Sequence, residues 1–296
     1  MDEPTKNNEL IKLSAALLLL ALLWLYPART NVISPQSQTA NLQSAVSATD
    51  NVIPSEGVEL PLKLGNIGYQ LVESGVIDYE NFQKLYAERG GVLEENKQWF
   101  ENTDNGNLVI TERNAGLILN MLWAFGLGNK NEILEKGSMM DTKYGGADRF
   151  ASTGGWTLAK GSAMAHYSTH SFVTLSAEQQ AMVERVAKSI YRPCCDNPTY
   201  FPDCNHGMAM LGALELMASQ GVSEAEMYRA ALILNSYWFP DTYLTIAEYF
   251  KGKGILWSTV DAKEVLGATY SSASGYQNIK SKIRAVPKQE SGGCGA

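Results

Sequence analysis

Six of the seven cysteine and histidine residues fall within a 41-residue stretch: His166, His170, Cys194, Cys195, Cys204 and His206. Only Cys294 lies elsewhere. A window of that size covers about a seventh of the chain and would hold about one of the seven by chance, so the grouping points to shared chemistry. Thiolate and imidazole are the soft and borderline donors that bind zinc, copper and iron. The candidate metal ligands are therefore Cys194, Cys195, Cys204 and His206, with His166 and His170 as possible additional donors. Copper, zinc and iron all remain open. Met208 and Met210 add thioethers within one turn of His206, which tilts the choice toward copper. If no metal binds, nothing else in the sequence calls for a cofactor.

The pattern Cys-Cys-x8-Cys-x-His matches no standard zinc finger. Neither C-x-x-C nor C-x-x-C-H occurs, so there is no thioredoxin-like motif and no covalent haem attachment. A Walker loop, a dinucleotide-binding glycine fingerprint, G-x-S-x-G and H-E-x-x-H are absent as well. Two further readings of the cysteines stay open. Disulfides can staple an interaction scaffold, Cys195–Cys204 closing a short loop and Cys194–Cys294 pinning the tail to the core; four cysteines allow three pairings, and an adjacent Cys194–Cys195 bond would be strained. Alternatively, Cys204 can act as the attacking thiolate of a thiol-disulfide oxidoreductase, because a helix start lowers a thiol pKa. The histidines have plain alternatives too. His166 and His170 share a face only if AHYSTHSFVTL is helical, and its Ser, Thr and β-branched content also fits strand or loop.

The elements that must position these residues read as helices. Three prolines break the chain between Tyr191 and Cys204 and force a tight loop. Asp203 or Asn205 then caps a helix to about Ser219, whose interior MAMLGALELMA carries Glu215 as its only charge and should be buried. Ser176-Ala-Glu-Gln179 and Ser223-Glu-Ala-Glu226 are capping boxes opening two more helices. Asp78 caps a segment to Arg89, Thr111 caps the apolar ERNAGLILNMLWAFGL, and Pro240 ends one helix before Asp241 caps the next. Leu62, Ile67, Leu71 and Val72 also sit near helical spacing. Residues 137–162 are Gly-rich and irregular. Within them, Ala151-Ser-Thr-Gly-Gly-Trp156 is either a backbone approach to a ligand or a turn anchored by its tryptophan.

The fold expected is mainly α: a single compact helical domain over residues 57–286 with a Gly-rich irregular segment, and a flexible Cys-containing tail at 287–296. A split near Gly145 is the alternative. Ahead of it, Leu13 to Tyr26 is an apolar run broken only by Ser14, near the lower length limit for a membrane-spanning helix. Tyr26-Pro27-Ala28 puts a bulky residue where signal cleavage wants a small one. Residues 1–29 thus read as an uncleaved signal-anchor, and residues 30–56, rich in Ser, Thr, Gln and Asn, as a disordered tether. Lys6 and Lys12 precede the run and only Arg29 closely follows it, which puts the N-terminus in the cytoplasm and the main domain outside. That compartment lets disulfides persist. The expected partner is the membrane, through the N-terminal helix. Net charge is −7 with no basic run, which disfavours nucleic acid. The functional expectation is a membrane-tethered extracytoplasmic domain that binds a metal ion or handles thiol and metal redox chemistry.

Overall fold

A computed structural model describes residues 52–91 and 94–283. The chain opens with strand β1 (Val58–Gly65), helices α1 (Ile67–Glu73), α2 (Tyr79–Glu88) and α3 (Glu94–Glu101), and strand β2 (Asn105–Ile110). Next come α4 (Ala115–Gly128) and α5 (Glu132–Lys136), then a stretch of 3₁₀ turns over residues 138–165. The second half contains α6 (Ala177–Ala187), α7 (Asn205–Ser219), α8 (Glu224–Trp238) and α9 (Pro240–Lys251). Three short helices follow: α10 (Ala262–Val265), α11 (Ala268–Ser271) and α12 (Ala273–Lys282). The described residues are mainly helical and belong to one compact unit, with no division near Gly145. Among them, no helix is long and apolar enough to cross a membrane. The expected anchor at 1–29, the tether up to residue 51 and the tail with Cys294 lie outside the described residues.

The centre is the pair α4 and α7. Both are apolar on every face, as LILNMLWAFGL and MAMLGALELMA required, and both are buried almost throughout. They cross at glycine. A Cβ on Gly212 would lie 2.5 Å from the Leu122 carbonyl oxygen, and one on Gly126 would strike the carbonyl of Met208. Only bare glycine lets two backbones come this close. Helices α6 and α8 pack on α7, and α9 and α12 extend the layer beyond α8. The caps read from sequence at Asp78, Ser176 and Ser223 all form, the last two as reciprocal capping boxes. At α4, Thr111 and Asn114 bond to each other's backbone N–H groups and the helix starts at Ala115. Pro240 takes the first position of α9, with Phe239 rather than Asp241 at the cap.

Two expectations are corrected. Residues 58–65 are a strand, not a helix: β1 pairs antiparallel with β2, Val58 opposite Ile110 and Gly65 opposite Asn105, with a register shift between Glu59 and Lys63. Leu60, Leu62 and Leu64 alternate into the core, so period two, and not the helical spacing of Leu62 with Ile67, carried the signal. Moreover, the tether does not extend to residue 56. Val52 and Ile53 are buried in the core, and Tyr237 donates to the Pro54 carbonyl at 2.6 Å. Trp156, for its part, is an anchor: it is buried, packs edge-on to Trp123 and donates from Nε1 to the Val76 carbonyl at 2.8 Å.

Candidate metal centre

The loop from Tyr191 to Cys204 is closed by its own backbone. Tyr191 pairs with Pro198 in an isolated antiparallel bridge, and the Thr199 N–H donates to the Ile190 carbonyl at 2.8 Å. Pro198 and Pro202 limit the unfolded alternatives of the segment between them. Arg192, 1% exposed, then fills the loop's interior. Its guanidinium donates to the Asn197 carbonyl at 2.8 Å and the Phe201 carbonyl at 2.9 Å, and pairs with Asp203. Asn197 Nδ2 holds the other Asp203 oxygen at 2.7 Å. Gly207 faces this group: a Cβ there would lie 2.6 Å from Arg192 Cζ. A glycine at this point of the helix start leaves room for the arginine beneath it.

The last donor of Arg192, Nε, points at Cys204 Sγ at 3.1 Å. Cys204 is itself the N-cap of α7, accepting from the Gly207 N–H at 3.4 Å, a role the sequence had suggested for Asp203 or Asn205. Around Cys204 the two neighbouring thiols close a triangle. Cys194 Sγ lies 3.5 Å from Cys204 Sγ, Cys195 Sγ 4.0 Å from it, and Cys194 and Cys195 are 3.7 Å apart. None of the three is bonded to another, so the Cys195–Cys204 disulfide is not formed. Donation from the Cys194 and Cys195 thiols, together with His206 and Arg192, holds Cys204 far below the usual thiol range. Cys194, hydrogen-bonded to Cys195 and Cys204, is pushed well above it.

The candidate ligands divide into three sets. Cys194, Cys195 and Cys204 converge, their sulfurs all within 4.8 Å of one another. His206 stands beside Cys204 alone; its buried ring packs on Phe239 at 4.3 Å and edge-on to Trp238. His166 and His170 pair with each other instead. The segment is a turn, with Ser168 at φ +52°, and His166 Nδ1 meets His170 Nε2 at 3.0 Å while His166 Nε2 meets the Lys160 carbonyl at 3.1 Å. Both ring nitrogens of His166 are thus engaged. Met208 and Met210 are in the hydrophobic core, which removes the thioether argument for copper. Arg192 is the residue the sequence reading missed; its only signal was a basic residue two positions before a cysteine pair.

The triangle fits one ion. Its mean edge is about 3.7 Å, so its centre is about 2.2 Å from each sulfur, the edge divided by √3. Zinc at about 2.3 Å from each sulfur would sit roughly 0.8 Å above the plane, close to the third of a bond length that a tetrahedron requires. Thiolates on different irons of a cluster would not be in mutual contact, so the arrangement suits a mononuclear ion. No protein-family model matches the chain, and neither a curated protein nor a solved structure matches it significantly.

Proposed function

We propose that this domain binds a single thiophilic metal ion, of the zinc(II) or copper(I) class, through Cys194, Cys195 and Cys204. The observation that carries the reading is the triangle of unbonded sulfurs at 3.5–4.0 Å. Three soft donors select soft or borderline ions over magnesium or calcium. Arg192 and the α7 N-terminus add positive potential at Cys204, which favours the thiolate a metal needs. The membrane-tethered, extracytoplasmic placement belongs to the same proposal and rests on the apolar run and the lysine asymmetry at the N-terminus. Elemental analysis of the reduced protein, purified without an affinity tag, tests the metal. One equivalent per chain with thiolate-to-metal charge-transfer absorption is expected, and Cys204→Ser should weaken binding at least ~10-fold. Three fully titratable thiols that take up no zinc or copper would overturn it.

A specific distance favours a second reading. Cys194 Sγ is 3.5 Å from the acidic Cys204 sulfur, and a small rotation brings it to the ~2.05 Å of a disulfide. A dithiol couple in that position serves thiol-disulfide exchange. Rapid alkylation of Cys204 at about pH 6 in metal-free protein, with no metal uptake, is the outcome expected of the redox reading alone.

A further inference from the structure

We infer that the turn closing α9 docks the domain on an anionic lipid surface, with Ile255 and Leu256 entering the headgroup layer and Lys251, Lys253 and Lys282 set against its phosphates. The inference uses neither the cysteine site nor the N-terminal run. Leu256 is 66% exposed and Ile255 38%, and every residue from Lys251 to Leu256 is open to solvent. Single apolar side chains on a surface need no explanation, but two adjacent ones at a fixed apex do. The apex is fixed from both sides. Gly254, at φ +76°, takes the left-handed position that ends the helix. The Ile255 N–H reaches back to the Phe250 carbonyl at 3.0 Å, and the Gly254 N–H to the Lys251 carbonyl at 2.9 Å. Such a turn usually folds the residue after its glycine onto the helix, yet here Ile255 stays exposed. Beyond the apex, the Leu256 carbonyl accepts from the Thr259 N–H at 2.9 Å and its hydroxyl at 2.8 Å. Trp257 rests edge-on to Tyr243, with ring centroids 6.4 Å apart.

Charge complementarity selects the partner. Residues 249–282 carry five lysines and two carboxylates, Asp261 and Glu264, a charge of +3; the whole chain is at −7, which leaves −10 for the rest. The one basic stretch of an acidic chain thus surrounds its most exposed leucine. Helix α12 packs on α9 and brings Lys282 to the same place as Lys253. Lys253 lies over the Tyr249 ring at 4.3 Å, and its hydrogen bond, with the Lys282 charge adding to it, holds the Tyr249 phenol below its ordinary range. The nearby carboxylates are engaged: Glu248 lies 3.9 Å from Lys251, and Glu264 accepts from the Tyr270 hydroxyl at 3.3 Å. An apolar tip, a collar of lysines and a half-buried tyrosine behind them match the layers of a lipid surface, with phosphate outermost and acyl carbon beneath. An acidic polypeptide would meet the lysines but give Leu256 nothing to enter.

Amide hydrogen exchange of the full chain tests this in lipid nanodiscs, made of phosphatidylcholine alone or with phosphatidylglycerol added. Exchange over residues 252–257 should slow by at least about fivefold on the anionic discs, the effect of one lysine near such a surface, while the rest of the domain is unchanged. High salt should remove the slowing. The double variant Lys251→Glu, Lys253→Glu should return to the phosphatidylcholine rate, and Leu256→Ser should lose most of the effect. All three positions are exposed, so the variants keep the fold, which far-UV circular dichroism checks. Equal exchange on the two kinds of disc overturns the inference, as does slowing that persists unchanged in the charge-reversed variant or in Leu256→Ser. Slowing by soluble poly-glutamate as great as that by anionic discs also overturns it, and would assign the patch to an acidic polypeptide.

Discussion

The chemistry of the site turns on Arg192, a charge buried to 1% exposure and satisfied on every side. It links the loop carbonyls, the Asp203 carboxylate and the Cys204 sulfur, so one side chain sets both the loop's shape and the electrostatics at the cysteine triangle. Replacing it with methionine keeps roughly the volume but strips Asp203 of its charged partner and two carbonyls of their donor. Breaking a buried pair this way should cost about 3 kcal/mol, which lowers the melting temperature by roughly 6–12 °C for a domain of this size. Metal affinity should fall with it, because the Cys204 thiolate loses its nearest cation. Gly207→Ala tests the same clamp from the other side: its Cβ displaces the guanidinium, so both affinity and melting temperature should drop without any ligand being changed. Thermal melts with and without zinc report both effects. The cysteine triangle was legible because the eight-residue loop is short and proline-bound, which makes its ends cheap to bring together. What the spacing could not give was direction. His206 follows Cys204 by two residues yet turns onto Phe239, and the i, i+4 relation of His166 and His170 marks a shared helical face only where a helix exists.

At the scale of elements, the sequence was most informative where local rules act alone. The capping boxes at Ser176 and Ser223 and the cap at Asp78 formed as read, because side-chain oxygen and orphan N–H lie within one turn of each other. Strand β1 was misread because its partner lies across three intervening helices, and pairing with β2 decides the conformation. The crossing of α4 and α7 has the same non-local character. Gly126, Gly212 and Gly116 look alike in sequence, each a glycine inside a helical stretch. Adding a methyl to Gly212 forces the two backbones apart at the centre of the core, whereas a methyl on Gly116 meets nothing within 4 Å. Gly212→Ala should therefore destabilise by about 1–3 kcal/mol. Gly116→Ala should stabilise by up to ~1 kcal/mol, since it only removes unfolded-state freedom in a helix. Urea denaturation of the two variants gives opposite signs if the crossing is as close as described, and the same sign if α4 and α7 can slide apart.

At the scale of the whole molecule, the hydrophobic core extends from Val52 to Ile279 without calling on the metal centre. A fold of this kind should survive metal removal. Chelation is expected to leave the far-UV circular dichroism unchanged at 25 °C and to lower the melting temperature only by the binding free energy, about 4 kcal/mol at 1,000-fold excess over Kd. Loss of helical signal on chelation would mean that the ion is structural. The helical patterning had indicated a domain of this size and a buried helix carrying Glu215, and among the described residues Glu215 is the one carboxyl group in the core. Glu215 is fully buried on α7, with Asn129 Nδ2 donating to Oε2 at 2.6 Å. Burial raises its pKa well above 4.5, and the hydrogen bonds from Asn129 and Asn131 offset this only in part. In the folded chain it therefore keeps a proton that the unfolded chain releases above about pH 4.5. Between the unfolded and folded values the native state binds more protons, so stability falls as pH rises, by up to about 1.4 kcal/mol per pH unit from this group. Below the unfolded value the two states bind equally and the contribution vanishes. Glu215→Gln keeps the shape and the acceptor facing Asn129 but cannot ionise. Across pH 5 to pH 8 in urea denaturation, the variant's stability relative to the natural chain should therefore rise, levelling off where Glu215 ionises in the fold, while titrations elsewhere cancel in the difference. A difference flat across that range would mean that Glu215 is ionised in the fold, held by a partner stronger than Asn129.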